Sequence, residues 1–95
     1  MNAGIVSLED GTPCIVYDEQ LPHAISHVAF NDDGYQITLV YADADPSGPA
    51  GHTFEYPLDP PFVELLGERG NVAVAFMQNQ QVIDINIYPV KFVLS

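Results

Sequence analysis

The side chains of Asp43, Asp45 and Ser47 alternate with small residues, and Gly48 follows them. This is the spacing of the first half of a calcium-binding loop, in which alternate side chains converge on one ion. The match ends there, because Phe54 occupies the position at which a bidentate glutamate should close the coordination shell. Asp43, Asp45 and Ser47 are therefore only a weak metal-site hypothesis, and we expect no cofactor.

The histidines and the single cysteine lack the spacing that metal binding or catalysis requires. His23 and His27 are four residues apart, which on a strand separates them by about 13 Å, too far to share an ion. His52 follows the acidic loop, and we expect it to be at the surface or half-buried. Cys14 lies in an apolar run and is expected to be a packed thiol. With no nucleophile, phosphate-loop or zinc-protease motif, the chain is predicted not to be an enzyme.

One carboxylate, Asp84, interrupts a strongly apolar segment. A regular hairpin would set Asp84 opposite Ala75, and Ala75 and Ala73 are small enough to leave space for a ligand. We favour the interpretation that Asp84 is a polar group on the solvated face of a sheet. A small-molecule pocket at Ala73, Ala75 and Asp84 is the alternative.

The elements that would position these groups are mostly β-hairpins, predicted to close at Asp10-Gly11, at residues 31–34 and at Asn79-Gln80. A two-residue turn at Asp10-Gly11 sets Ile5 opposite Val16. The turn at 31–34 sets Val28 opposite Ile37. The same reasoning at Asn79-Gln80 puts six bulky apolar side chains on one face, with Val72, Val74 and Phe76 opposite Ile87, Ile85 and Ile83.

Between the second and third hairpins the pattern changes. Residues 42–52 are polar, acidic and punctuated by Pro and Gly, which predicts a mobile loop. Asp59 as N-cap and Pro60 at the first helical position predict one short helix near residues 59–67. After Pro89 the chain resumes as a final strand, which the proline favours at a sheet edge. We expect residues 1–95 to form a single β domain, a small antiparallel barrel or sandwich of about seven to eight strands.

Charge excludes several partners, because Asp plus Glu number 13 against 2 for Lys plus Arg, a net charge of -11. Such a chain cannot neutralise a phosphate backbone and is repelled by anionic membranes, so neither nucleic acid nor membrane is an expected partner. No segment resembles a signal-peptide core or a membrane span of about 20 apolar residues. We therefore expect a cytoplasmic protein.

The chain also has more apolar residues than a small domain can hide, with 47% hydrophobic and only 16% charged. A domain of this size buries roughly 60–65% of its unfolded surface, so some apolar side chains stay outside. We expect a non-enzymatic assembly module that forms a homo-oligomer, with a dimer favoured. The expected interface is an apolar sheet face or the final strand, at Met77, Val82, Val90, Phe92 and Leu94. The alternatives are a small-molecule-binding barrel and an acidic inhibitor that binds a basic protein by mimicking a phosphate backbone.

Overall fold

The structure is a computed structural model that describes residues 3–18, 21, 24–31, 36–43, 45–56 and 59–93. In these ranges the chain forms seven strands and one helix. In chain order they are β1 (Ala3–Ser7), β2 (Pro13–Tyr17), β3 (Ile25–Asn31), β4 (Gln36–Tyr41), β5 (Gly51–Glu55), α1 (Pro60–Arg69), β6 (Asn71–Gln78) and β7 (Gln81–Val93).

The strands form one sheet in the order β1-β2-β6-β7-β3-β4-β5. β2 runs parallel to β6 and β3 runs parallel to β7, while the other neighbours are antiparallel. The sheet curls into an open half-barrel. The mainly β class with one helix is confirmed, but the purely antiparallel pairing and the closed barrel or sandwich are wrong. Hairpin signals predict only pairings between consecutive strands, whereas the two parallel pairings join strands that are distant along the chain.

β7 lies inside the sheet and joins its two halves. Residues 81–89 pair with β6, and residues 90–93 pair with β3. Pro89 lies where the strand changes partner, a position at which a missing N–H interrupts little. The N–H of Val90 donates to the carbonyl of Gly70 at 3.1 Å. The predicted edge strand after Pro89 is therefore wrong, and β1 and β5 are the edges of the described sheet.

A β-bulge near the start of β7 decides which of its side chains face the core. Phe76 pairs with Asp84, whereas Met77 pairs with Val82, so Ile83 is an extra residue on the β7 side. One extra residue moves the side chains that follow it to the other face of the sheet.

The predicted register of the third hairpin is therefore wrong by one residue. Val74 lies opposite Asn86, and Ala75 lies opposite Ile85. The isoleucines of β7 consequently share a face with the alanines of β6, and Asp84 shares a face with the core residues.

The first hairpin is also displaced by one residue from its prediction. The N–H of Leu8 donates to the Thr12 carbonyl, and Gly11 has φ of 86° inside this three-residue loop. Ile5 consequently lies opposite Ile15. A three-residue loop with glycine in the left-handed region is the next most common hairpin connection after the two-residue turn.

The second hairpin is displaced by two residues, which leaves the side chains from His27 onward on their predicted faces, whereas an irregularity between Ile25 and His27 places Ile25 in the core. Val28 lies opposite Leu39, where Ile37 was expected. Its turn lies mostly outside the described residues.

α1 covers the core side of the curled sheet. The N–H of Phe62 donates to Oδ1 of Asp59 at 2.8 Å, and the helix ends at Gly70, which has φ of 71°. The predicted helix is confirmed and extends two residues further, to Arg69. Leu66 packs into a core whose other fully buried members include Ile15, Tyr17, Val28, Phe30, Ile37, Leu39, Val72 and Val74.

Candidate functional site

On the side that faces away from α1, the strands β1, β2, β6 and the first half of β7 carry a patch of apolar side chains. Because directly paired residues share a face, the registers of these strands place seven uncharged side chains on it. We call this set the outer apolar face: Val6, Cys14, Val16, Ala73, Ala75, Ile85 and Ile87.

The large side chains at the two edges of this face, which we call its rims, are exposed, whereas the small side chains at its centre are buried. Ile87 is 61% exposed, Val6 48% and Ile85 46%. Between them Ala73 and Ala75 are buried by their larger neighbours. The face is therefore a shallow trough of small side chains between two raised apolar rims, and water contacts large hydrophobic groups there.

A depression of about 610 Å³ continues the outer apolar face at one end. It is lined by Gly4, Val16, Met77 and the turn residues 78–80, with Asp18 at its rim. No other part of the described chain lies within 4 Å of where a Gly4 side chain would begin. At this end the face gains Met77 and then passes into polar residues.

The other half of the same sheet presents a polar outer surface. The hydroxyl groups of Thr38 and Thr53 form a hydrogen bond of 2.9 Å between β4 and β5. His27 and Lys91 lie near each other on this surface, and burial together with the Lys91 charge lowers the pKa of His27. The polar half can stay in contact with water. The apolar half is therefore the part of the sheet at which a partner would bury hydrophobic surface.

The structure separates the five predicted interface residues. Met77 and Val82 are paired next to the bulge, beside the outer apolar face, and Val82 is 55% exposed. Val90 packs against the core, and the Phe92 ring lies 6.2 Å from that of Phe30 on the inner side of β7. Leu94 lies outside the described residues.

Sequence reasoning missed Val6, Ile85 and Ile87, which form the most exposed part of this surface. A signal for the isoleucines was present in β7. If residues 81–93 are one continuous strand, strict alternation places Lys91 on the same side as Ile85 and Ile87. Since an unpaired lysine is not buried, that side has to face outward.

The predicted pocket of Ala73, Ala75 and Asp84 is not assembled. The two alanines lie on the outer apolar face, and Asp84 lies on the opposite face beside Phe76. Asp84 does line a different pocket, of about 390 Å³, where β3 diverges from β7. We call it the fork pocket; its lining residues are Leu21, Ala24, Ile25, Phe76, Asp84, Asn86 and Tyr88.

The polar end of the fork pocket is formed by three residues on one face of β7. The Asn86 amide nitrogen donates to both carboxylate oxygens of Asp84 at 3.1 Å. Burial, and then the negative charge of Asp84, raise the pKa of the Tyr88 hydroxyl. The carboxylate, amide and hydroxyl groups therefore lie close enough to act on one ligand.

The acidic loop folds into a hydrogen-bonded turn at two of the predicted metal ligands. Oδ1 of Asp45 accepts from the Ser47 N–H at 2.9 Å and from its hydroxyl at 2.8 Å, which lowers the pKa of Asp45. Asp43 is exposed, and the last loop residues, Gly51 and His52, already belong to β5. In the described part of the chain, no group of three or more His, Cys, Asp or Glu side chains could hold a metal ion.

The Tyr17–His52 pair and the Cys14 thiol contribute to packing and hydrogen bonding inside the fold. The hydroxyl of fully buried Tyr17 lies 2.8 Å from Nε2 of His52, so this pair joins β2 to β5 across the inside of the sheet. Cys14 is 1% exposed, and burial raises the pKa of its thiol. Low accessibility and little thiolate make Cys14 a poor nucleophile.

Comparison with protein-family models, with curated proteins and with solved structures finds no match for this chain. Across the ranges that the structure describes, no helix has the length and apolar character to cross a membrane. The function is therefore inferred from the chemistry and shape of the two surfaces.

Proposed function

We propose that this chain is a non-enzymatic assembly module that pairs with a second copy of itself through the outer apolar face. The observation that carries the proposal is the exposure of Val6, Ile85 and Ile87 on a continuous uncharged sheet surface. Large apolar side chains gathered on one surface, and not scattered singly, are typical of interaction sites.

Shape supports a second copy as the partner. A two-fold dimer brings the same patch together from both subunits, so the isoleucine rim of one copy lies between the Val6 rim and the isoleucine rim of the other. Two sheet faces pack about 10 Å apart with their side chains interdigitated. A raised rim beside a trough on the same face is self-complementary in this arrangement.

Area supports a weak dimer. Four strands of about five residues cover roughly 20 Å by 20 Å, on the order of 400 Å² per copy before side-chain relief is counted. Two such faces, enlarged by Val82 and Ile83 at the bulge, bury on the order of 1,000 Å², which is the lower limit for a specific interface.

The uncharged composition of the face favours an uncharged partner surface, such as a second copy, over a basic one. The chain carries a net charge of -11, yet none of the seven residues of the face is charged. A basic partner would be attracted by the net charge of the chain, but it would leave any cations that meet this face against hydrocarbon. An identical uncharged face incurs no such desolvation cost.

The test compares Ile85→Asp with Val93→Asp, using size-exclusion chromatography with light scattering. Both side chains lie on the same side of β7 and are similarly exposed, at 46% and 47%, but only Ile85 belongs to the outer apolar face. We expect a dimer of the 10.4 kDa chain, a folded Ile85→Asp monomer and a dimeric Val93→Asp. Burying a carboxylate in an apolar contact weakens it by more than about tenfold.

A monomeric wild-type protein at high concentration would contradict the proposal. Dissociation by Val93→Asp, with Ile85→Asp still dimeric, would place the interface at the C-terminal end of β7. Circular dichroism of both variants establishes that they are folded.

A further inference from the structure

The fork pocket contains a carboxylate that neither cationic side chain of this protein neutralises. The chain has only two Lys and Arg residues. A nitrogen of the Arg69 guanidinium donates to the Asp10 carbonyl at 3.0 Å, on the first hairpin. Lys91 is seven residues after Asp84 on the same strand, so alternation puts it on the other side of the sheet. Among the described residues, neither the Arg69 nor the Lys91 side chain neutralises Asp84, and a cationic ligand could do so.

The polar groups beside Asp84 suit an ammonium ion. Both carboxylate oxygens of Asp84 accept a hydrogen bond from the amide nitrogen of Asn86. A carboxylate has about four acceptor sites, so Asp84 can accept further hydrogen bonds. The Tyr88 hydroxyl and ring line the same pocket. A primary ammonium has three donors for such acceptors, and aromatic faces attract it further.

The main chain at the fork adds a second, independent feature. β3 pairs with β7 only from Val28–Val90 to Asn31–Val93, so no described strand pairs with this edge of residues 82–88. In an antiparallel ladder every second residue directs its N–H and C=O away from its partner strand. Along this edge the main-chain N–H and C=O groups that point away from β6 have no described strand as a partner.

The remaining walls are apolar, and the volume suits a small molecule. Leu21, Ile25 and Phe76 supply apolar lining, and Phe76 pairs directly with Asp84 across β6 and β7. Its volume of about 390 Å³ lies within the usual range for ligand pockets, roughly 300–1,000 Å³. Apolar side chains together with a few polar groups are the usual composition of such a site.

We propose that the fork pocket binds a small organic ammonium ion, with its charged head at Asp84 and its apolar body against Ile25 and Phe76. This site is on the opposite face of β7 from the outer apolar face. Ligand binding is therefore separate from self-association, and either can fail without the other.

The test is a titration with 2-phenylethylammonium chloride followed by amide chemical shifts of the labelled protein. We expect saturable shifts at Ala24, Ile25 and Asn86. The matched ligand is 2-phenylethanol, which keeps the ring and replaces the ammonium by a hydroxyl. It is expected to bind at least about tenfold more weakly, because its hydroxyl donates only one hydrogen bond to the carboxylate and carries no positive charge.

The matched variants are Asp84→Asn and Glu68→Gln, which remove the same charge from two exposed positions. Asp84→Asn is expected to weaken 2-phenylethylammonium binding about tenfold or more, and Glu68→Gln less than about twofold. Equal weakening by both variants would mean general attraction to an acidic chain and would overturn the proposal. Absence of saturable shifts, or equal affinity for 2-phenylethanol, would also overturn it. Unchanged binding to Ile85→Asp would show that the pocket acts independently of the proposed dimer.

Discussion

Asp10 and Asp45 each accept hydrogen bonds from the residue two positions later, and these bonds close their turns. At Asp10 the acceptor is Oδ1 and the donor is the Thr12 N–H at 2.9 Å, and hydrogen bonding by Thr12 lowers the pKa of Asp10. Short acidic side chains favour turns for this reason. The acidity of this protein is thus partly a consequence of how its turns are built.

The Asp10 turn should give the protein a specific loss of stability in acid. Because the pKa of Asp10 is lower in the folded state, its contribution is present above the unfolded value of about 3.9 and disappears as pH falls through the folded value. We expect Asp10→Ala to lower the urea midpoint at pH 7 and to equal wild type well below about pH 3. Glu9→Ala, at the exposed neighbouring residue, is the control for net charge. The same pH profile for both variants would contradict a role for the turn.

At the scale of elements, α1 follows its local signals closely. Asp59 and Pro60 start the helix as predicted, and of the two glycines that could end it, Gly70 is the one in the left-handed region. Gly67 lies inside the helix with no atom within 4 Å of where its side chain would begin. Gly67 thus has a helical backbone that a residue with a Cβ can adopt, whereas Gly70 has a left-handed one that favours glycine.

Alanine at these two positions should change stability in opposite directions. Gly67→Ala should raise the free energy of unfolding by about 0.5–1 kcal/mol, because alanine loses less entropy in a helix. Gly70→Ala should lower it by about 1–2 kcal/mol, because φ of 71° is strained for a residue with a Cβ. Urea unfolding of both variants measures this difference. A stabilising Gly70→Ala would contradict the assigned helix end.

β7 shows how a whole strand overrides local pairing. Its second half holds Val90 and Phe92 toward the core beside β3. Alternation along one continuous strand then turns Asp84 inward and Ile85 outward. The turn at Asn79-Gln80 would by itself set the opposite alternation, and the extra residue Ile83 in the bulge makes the two compatible. The register predicted from the turn alone would instead have brought Lys91 to the core side.

At the scale of the whole molecule, charge opposes the proposed dimer. Each copy carries a net charge of -11, so two copies repel at low ionic strength. The screening length falls from about 30 Å at 0.01 M salt to about 8 Å at 0.15 M. Apolar contact between the outer faces is not screened, and salt should therefore strengthen self-association.

We expect the dimer dissociation constant to fall at least about tenfold between these two salt concentrations. Sedimentation equilibrium measures it directly. Dimerisation that weakens as salt rises would point to attraction between opposite charges and would contradict an uncharged interface. The acidic-inhibitor alternative predicts the opposite salt dependence, because binding of a basic protein weakens as the salt concentration rises.

The sequence by itself determined several local features: the helix start at Asp59, the turn at Asn79-Gln80, the apolar surplus and the excess of carboxylates. Each depends on residues close in the chain, through capping bonds or backbone preferences. Only the tertiary structure decided the parallel joins of β2 to β6 and β3 to β7, and the faces to which Asp84 and Ile85 belong. These depend on distant strands, because a single extra residue in a ladder exchanges the two faces at little local cost.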